Sequence, residues 1–127
     1  MLTGRCECGL VAFTVAQVQS HPSACHCSQC RRSSGHIWSG TRVAHSDLTF
    51  TRDETLKWYR SSDHAKRGFC GTCGSSLFYQ PDRADYISVA TGCFAQPTGL
   101  KLRRHIFTAD KGDYYEIADD TPQFEAS

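Results

Sequence analysis

Features that would send a chain to a membrane or out of the cell are missing from this sequence. The amino terminus, MLTGRCECGL, has no charged stretch leading into an apolar segment of roughly 7–15 residues and a small-residue cleavage site, so no secretory signal is visible. No apolar run approaches the ~20 residues that a membrane-spanning helix needs. A cytoplasmic, reducing location is therefore the expectation. Net charge is almost absent too. Fourteen Lys and Arg against thirteen Asp and Glu leave +1, which gives no general attraction to phosphate backbones. Neither nucleic acid nor a membrane is an expected partner. There is no internal repeat, low-complexity tract or Pro/Ser-rich linker, and the four prolines are scattered. A chain of 127 residues built this way is expected to form one domain, residues 1–127.

Sustained apolar spacing at the helical period is also lacking, which leaves little room for helix. What is present is a series of short β-branched or aromatic-rich runs separated by turn residues. They are Leu10–Val15, Ile37–Val43, Leu48–Thr51, Thr55–Arg60, Gly74–Tyr79, Tyr86–Thr91 and Arg104–Phe107. These predict a mainly β fold of short antiparallel strands. The one helical signal is Ser28 as the cap of a short turn through Gln29 to Ser33.

Against this ordinary background stand eight cysteines. In a reducing compartment they point to metal ligands or reactive thiols rather than to a disulfide framework. Seven fall in three tight clusters: Cys6-x-Cys8, Cys25-x-Cys27-x-x-Cys30 and Cys70-x-x-Cys73. Disulfides inside such clusters would be strained, whereas one small ion accepts several neighbouring thiolates. Two short cysteine hairpins brought together from distant parts of the chain supply the four tetrahedral ligands of a structural zinc, and Cys6, Cys8, Cys70 and Cys73 fit that pattern. Spacing alone leaves Cys6 and Cys8 free to pair with either of the other clusters.

The trio Cys25, Cys27 and Cys30 differs in number. Three protein ligands leave a fourth position open, which distinguishes catalytic from structural zinc. Three thiolates make the ion a weak Lewis acid, better suited to taking up an incoming thiol than to generating hydroxide. The added negative charge calls for nearby cations, and Arg31 and Arg32 follow directly; Arg31, with polar groups at Ser33 and Ser34, is the candidate holder of a carboxylate on that thiol. His26 lies between two ligands, so in extended chain it points away from them. His36 and Cys93 remain open as fourth donors. Cys93 sits in an apolar run and is expected as a small buried residue. Lys101–His105 is read as a solvated basic strand edge, and the remaining histidines as surface or satisfied core residues.

Several of these segments resemble one known family. Gly4-x-Cys6-x-Cys8-Gly9, Cys25-His26-Cys27-Ser28-x-Cys30-Arg31-x-x-Ser34-Gly35, Tyr59-x-Ser61-Ser62 and Arg67-Gly68-Phe69-Cys70-x-x-Cys73-Gly74-Ser75 are similar to the glutathione-dependent formaldehyde-activating (GFA) family, the centromere protein V/GFA-type domain. The likeness covers about residues 4–79. Beyond it the chain reads Gly92-Cys93-Phe94-Ala95 where the family usually has Leu-Asp after the glycine step, and Tyr114 or Tyr115 stands in place of a late tryptophan. The resemblance implies a β-tent fold, a structural zinc on Cys6, Cys8, Cys70 and Cys73, and a labile catalytic zinc on Cys25, Cys27 and Cys30. It implies glutathione as the thiol, formaldehyde as its partner and a carbon–sulfur lyase reaction giving S-hydroxymethylglutathione. Two other classes compete: a non-catalytic module with two closed zinc sites that binds a protein, and a redox enzyme using Cys93. A homodimer is compatible with any of these.

Overall fold

The computed structural model describes residues 1–127. In chain order the strands are β1 (Leu2–Arg5), β2 (Ala12–Val15), β3 (Ser23–Cys25), β4 (Trp38–Ala44), β5 (Leu48–Arg52), β6 (Leu56–Arg60), β7 (Ala65–Cys70), β8 (Ser76–Pro81), β9 (Tyr86–Ala90) and β10 (Arg104–Ile106). A single α-helix, α1 (Ser28–Ser34), lies between β3 and β4. The fold is mainly β, as expected. Strands β1, β2 and β5 form a three-stranded sheet, and the others form a seven-stranded sheet in the order β10-β3-β4-β9-β8-β7-β6. No helix is long and apolar enough to cross a membrane.

The apolar faces of the two sheets meet around Phe13 of β2 and Phe78 of β8, both fully buried, with ring centroids 5.3 Å apart. Phe50 meets Phe78 edge-on at 5.5 Å, and Phe94 meets Phe13 at 6.2 Å. Val11, Val15, Val43, Leu77, Ile87 and Val89 complete this core. A smaller cluster of Cys25, Cys30, Trp38 and Ala90 lies apart from it. Cys6 and Cys70 belong to the main core, whereas Cys25 and Cys30 belong to the smaller cluster.

Each of the seven expected runs coincides with a strand, shifted by one or two residues at its ends. Three strands have no such signal. Leu2–Arg5 and Ser23–Cys25 are too short to show alternation, and Ala65–Cys70 reads AKRGFC, with two basic residues and a glycine in six. Pairing on both sides holds β3 and β7 in place despite these sequences. Pairing is antiparallel except between β10 and β3, which run parallel, a departure from the expected all-antiparallel arrangement. The helix exists where Ser28 suggested it, but its cap is Cys27, whose Sγ accepts from Cys30 N at 3.3 Å. It ends at Gly35, where φ of 87° suits a residue without Cβ.

Strand register sets out the face that carries Cys25. Directly opposed residues share a face, and three rows cross the large sheet. Ile106, Cys25 and Trp38 form one; Arg104, Ser23 and Gly40 the second; Arg42, Ser88, Tyr79 and Arg67 the third. Gly40 is required here, because a Cβ would come within 2.7 Å of the Trp38 ring that lies across it. Replacing Phe78 with alanine leaves a cavity between the sheets and should cost ~3–5 kcal/mol. Urea unfolding of wild type and Phe78→Ala checks this; a loss under ~1 kcal/mol would show that the sheets do not depend on this contact.

Candidate metal centres

All eight cysteines are free thiols. Seven gather into the two groups suggested by their spacing, and Cys6 and Cys8 join Cys70 and Cys73. In this quartet the sulfurs all lie within 4.8 Å of one another. The turn after β1 supplies two, the last residue of β7 the third and the turn after it the fourth. Backbone N–H groups point at the sulfurs: Val11 N to Cys6 Sγ at 3.3 Å, and Thr72 N and Cys73 N to Cys70 Sγ at 3.4 Å each. Such donors stabilise thiolates. A hydrogen bond from the Ser75 hydroxyl, helped by backbone N–H groups, holds the Cys73 thiol down at about 5. Four crowded sulfurs with thiolate-stabilising donors are a donor set that fits zinc. Cys6 and Cys70 are buried, Cys8 and Cys73 exposed, so the group closes over the end of the main core.

The second group contains Cys25, Cys27 and Cys30, again mutually within 4.8 Å, and no fourth His, Cys, Asp or Glu joins it. Cys25 ends β3, Cys27 caps α1 and Cys30 lies in its first turn. Hydrogen bonds from the Cys25 and Cys30 thiols, then from backbone N–H groups of Cys30 and Gln29, hold the Cys27 thiol far below its ordinary range. This donor set also fits a soft divalent ion. His36, an open candidate for fourth donor, instead bonds Tyr114 Oη at 2.9 Å. Cys93 meets Ser76 O at 3.7 Å, and burial pushes its thiol up to about 11.

His26 points away from the trio, as extended chain requires. It is completely buried, with Nδ1 bonded to Tyr115 Oη and Nε2 2.8 Å from His105 Nδ1. His105 Nε2 in turn meets Asp119 Oδ2 at 3.0 Å. With the Asp119 carboxylate as the final acceptor, donation runs one way: Tyr115 to His26 to His105 to Asp119. The His105 bond keeps the Asp119 carboxyl below its usual range. The backbone N–H of His26 donates to Ile106 O at 3.0 Å. Backbone and side chain together lock the segment that carries Cys25 and Cys27 against β10 and the carboxyl-terminal chain.

Sequence reasoning missed Arg67. The residue is 4% exposed; its Nη2 donates to Cys30 Sγ at 3.4 Å, while Nε and Nη1 are buried without a partner. It stacks over Tyr79 at 4.9 Å and faces Trp38 at 5.6 Å. A buried guanidinium is costly unless a negative group compensates it, and the only group it bonds is a sulfur of the trio. The available signal was an arginine in mid-strand three residues before a Cys-x-x-Cys turn. The expected cations behave differently. Arg31 and Arg32 occupy the last turn of α1, favourable for its dipole, and the hydroxyls of Ser33 and Ser34 donate to Cys30 O at 3.2 and 2.9 Å.

A cavity of about 590 Å³ opens beside the trio. Cys25, Cys27, Trp38, Arg67 and Tyr79 line it, with Arg42 and Arg104 further out. Arg31, Ser33 and Ser34 do not. The arrangement is thus that of a mainly β domain with one half-buried sulfur quartet and one sulfur trio beside a cation-lined cavity. Residues 1–110 match the family model of the glutathione-dependent formaldehyde-activating enzyme, and the chain belongs to this GFA family. A curated relative from Schizosaccharomyces pombe, named an uncharacterized lyase, is 26% identical over 127 residues, covering 95% of this chain and 88% of its own. A crystal structure of a Rhodobacter sphaeroides protein has the same fold, with a TM-score of 0.62 and 30% identity over 78% of this chain and 90% of that one.

Burial holds the His26 imidazole below its ordinary range, with the neighbouring His105 the next cause. Its folded pKa is therefore lower than its unfolded one. As pH falls below ~6.5, the unfolded chain takes up this proton first and stability is lost. In chelator-treated protein, unfolding midpoints at pH 7 and pH 5 should differ less in His26→Gln than in wild type. An equal difference in the two proteins would contradict a proton-free buried His26.

Proposed function

We propose that this protein is a zinc-dependent enzyme of the carbon–sulfur lyase type that joins glutathione to formaldehyde, giving S-hydroxymethylglutathione, and catalyses the reverse cleavage. The observation that carries this reading is the trio: three converging sulfurs, no fourth side-chain donor, and a cavity beside them. Membership of the GFA family and the lyase name of the yeast relative support the reaction class. In this reading Cys6, Cys8, Cys70 and Cys73 hold a structural zinc that braces the scaffold, and Cys25, Cys27 and Cys30 hold the catalytic zinc. Zinc bound there supplies Lewis acidity that lowers the pKa of a thiol and keeps its sulfur as thiolate at neutral pH.

The chain's own residues do the rest. Arg67, donating to Cys30 Sγ, offsets the negative charge that builds up when a further thiolate joins three others. Trp38 and Tyr79 cover the guanidinium and keep its field from being screened by water. The hydrogen-bonded file from Tyr115 to Asp119 fixes the chain between Cys25 and Cys27, so the sulfurs stay convergent. In the addition, the sulfur lone pair forms the C–S bond and the carbonyl π pair moves to oxygen. The proton lost by the thiol ends on that oxygen, so atoms and charge balance. Cleavage is the same sequence reversed.

The competing readings have less support. A closed two-zinc module needs a fourth side-chain donor at the trio, and none joins it. A Cys93 nucleophile needs a thiolate, whereas burial raises that thiol to about 11. Cys27→Ser should reduce glutathione-dependent exchange between free formaldehyde and its hemithioacetal, followed by NMR, by at least ~100-fold. Zinc content should fall from two ions per chain to one while the fold is retained. Unchanged exchange in Cys27→Ser would remove the trio from the mechanism.

A further inference from the structure

The chain has only two ion pairs, Arg60 with Asp82 and His105 with Asp119. The three arginines that line the cavity beside the trio, Arg42, Arg67 and Arg104, therefore have no carboxylate within 4.0 Å. The acidic groups on the cavity wall are the side chain of Asp110 and the terminal carboxylate of Ser127, and neither pairs with an arginine there. Arg67 is committed to the sulfur of Cys30. The other two are not committed to any charge, yet both are held in place. Arg104 Nε donates to Ser23 Oγ at 2.9 Å, and the Arg42 guanidinium lies 4.4 Å from the centre of the Tyr86 ring. Free surface arginines wave in solvent, whereas fixed ones lose less entropy when an anion arrives.

Register places them relative to the sulfurs. Arg104 stands beside Ser23, two residues before Cys25 on the same face of β3. Arg42 lies two residues beyond Gly40, the residue that faces Ser23 across the next strand pair. Strand spacing and rise put the Cα atoms of Arg42 and Arg104 roughly 12 Å apart, with the trio to one side of the line joining them. A tripeptide thiol spans roughly 10 Å between its end carboxylates, with its sulfur near the middle.

We infer that Arg42 and Arg104 are the carboxylate seats of this cavity. They select a thiol that carries a carboxylate at each end, its sulfur lying toward Cys25, Cys27 and Cys30. This deepens the proposed function and rests on it for the identity of the thiol. It also moves substrate recognition away from Arg31, Ser33 and Ser34, which lie outside the cavity. Guanidinium pairs with carboxylate through two parallel N–H donors, so neutral or cationic thiols lose both contacts.

S-Methylglutathione separates this inference from the chemistry at sulfur, because its sulfur is capped and it cannot react with an aldehyde. Calorimetric or NMR titration of the zinc-loaded protein should show it binding about tenfold more tightly than its diethyl ester. Arg42→Gln and Arg104→Gln should each weaken it by about the same factor, while Arg60→Gln, at the far edge of the sheet, should leave it unchanged. Arg42→Lys and Arg104→Lys, with circular dichroism, guard against simple misfolding: both should keep the fold and bind between wild type and the Gln variants. Equal binding of acid and diester, indifference to both substitutions, or no binding at millimolar concentration would overturn the inference. Arginine-dependent binding without aldehyde turnover would overturn the catalytic reading and leave the carboxylate seats standing. Turnover with cysteamine equal to that with glutathione, unaffected by either substitution, would do the reverse.

Discussion

Thiolates repel one another, and this domain concentrates seven cysteine sulfurs at two points. The rest of the structure serves to hold that charge where it is needed. Strand β7 contributes to both points at once. Its last residue, Cys70, belongs to the quartet, and Arg67, three residues earlier, reaches Cys30 in the trio. The register shift between Gly68 and Phe69 falls between them, so the strand changes its relation to β8 on the way from one sulfur group to the other. Backbone N–H donors reach sulfurs in both groups, and the trio has in addition a buried guanidinium. A full positive charge offsets negative charge on the sulfur it touches.

Most of the strands were legible because alternation of apolar and polar residues is a local property. β7 was not, because its six residues carry Lys66, Arg67 and Gly68, and only its neighbours show why an arginine is tolerated in mid-strand: Tyr79 and Trp38 stack on it and a sulfur takes its hydrogen bond. The two sulfur groups could be read from spacing, since cysteines two or three residues apart must lie close together in any fold. Which pair joined which was not local, and it depended on the register that brings the turn after β1 to the turn after β7. The carboxyl-terminal partners Tyr115 and Asp119 were invisible for the same reason: they lie 89 and 14 residues from the histidines they bond. His26 is an instructive intermediate. Alternation predicted that it would point away from its two cysteine neighbours, and it does, but only the structure shows that it anchors them.

The sheet explains how a scaffold this small presents a cavity of about 590 Å³. One face of the large sheet packs on the small sheet through Phe78 and its neighbours. The other carries the rows that include Cys25, Trp38, Ser88, Tyr79 and the three arginines, and only a small apolar cluster around Cys25, Cys30, Trp38 and Ala90 forms there. Residues of the helix cap and the chain after β10 rise around them, leaving space instead of packing. The aromatic core and the cavity are thereby assigned to opposite faces of the large sheet.

Zinc-edge X-ray absorption on the fully loaded protein, with and without glutathione, tests the open-trio account most directly. The sulfur count averaged over the two ions should rise when the thiol is added, and the rise should be absent in a variant lacking Cys27. Both ions already fully coordinated by the protein, with no change on adding thiol, would contradict it.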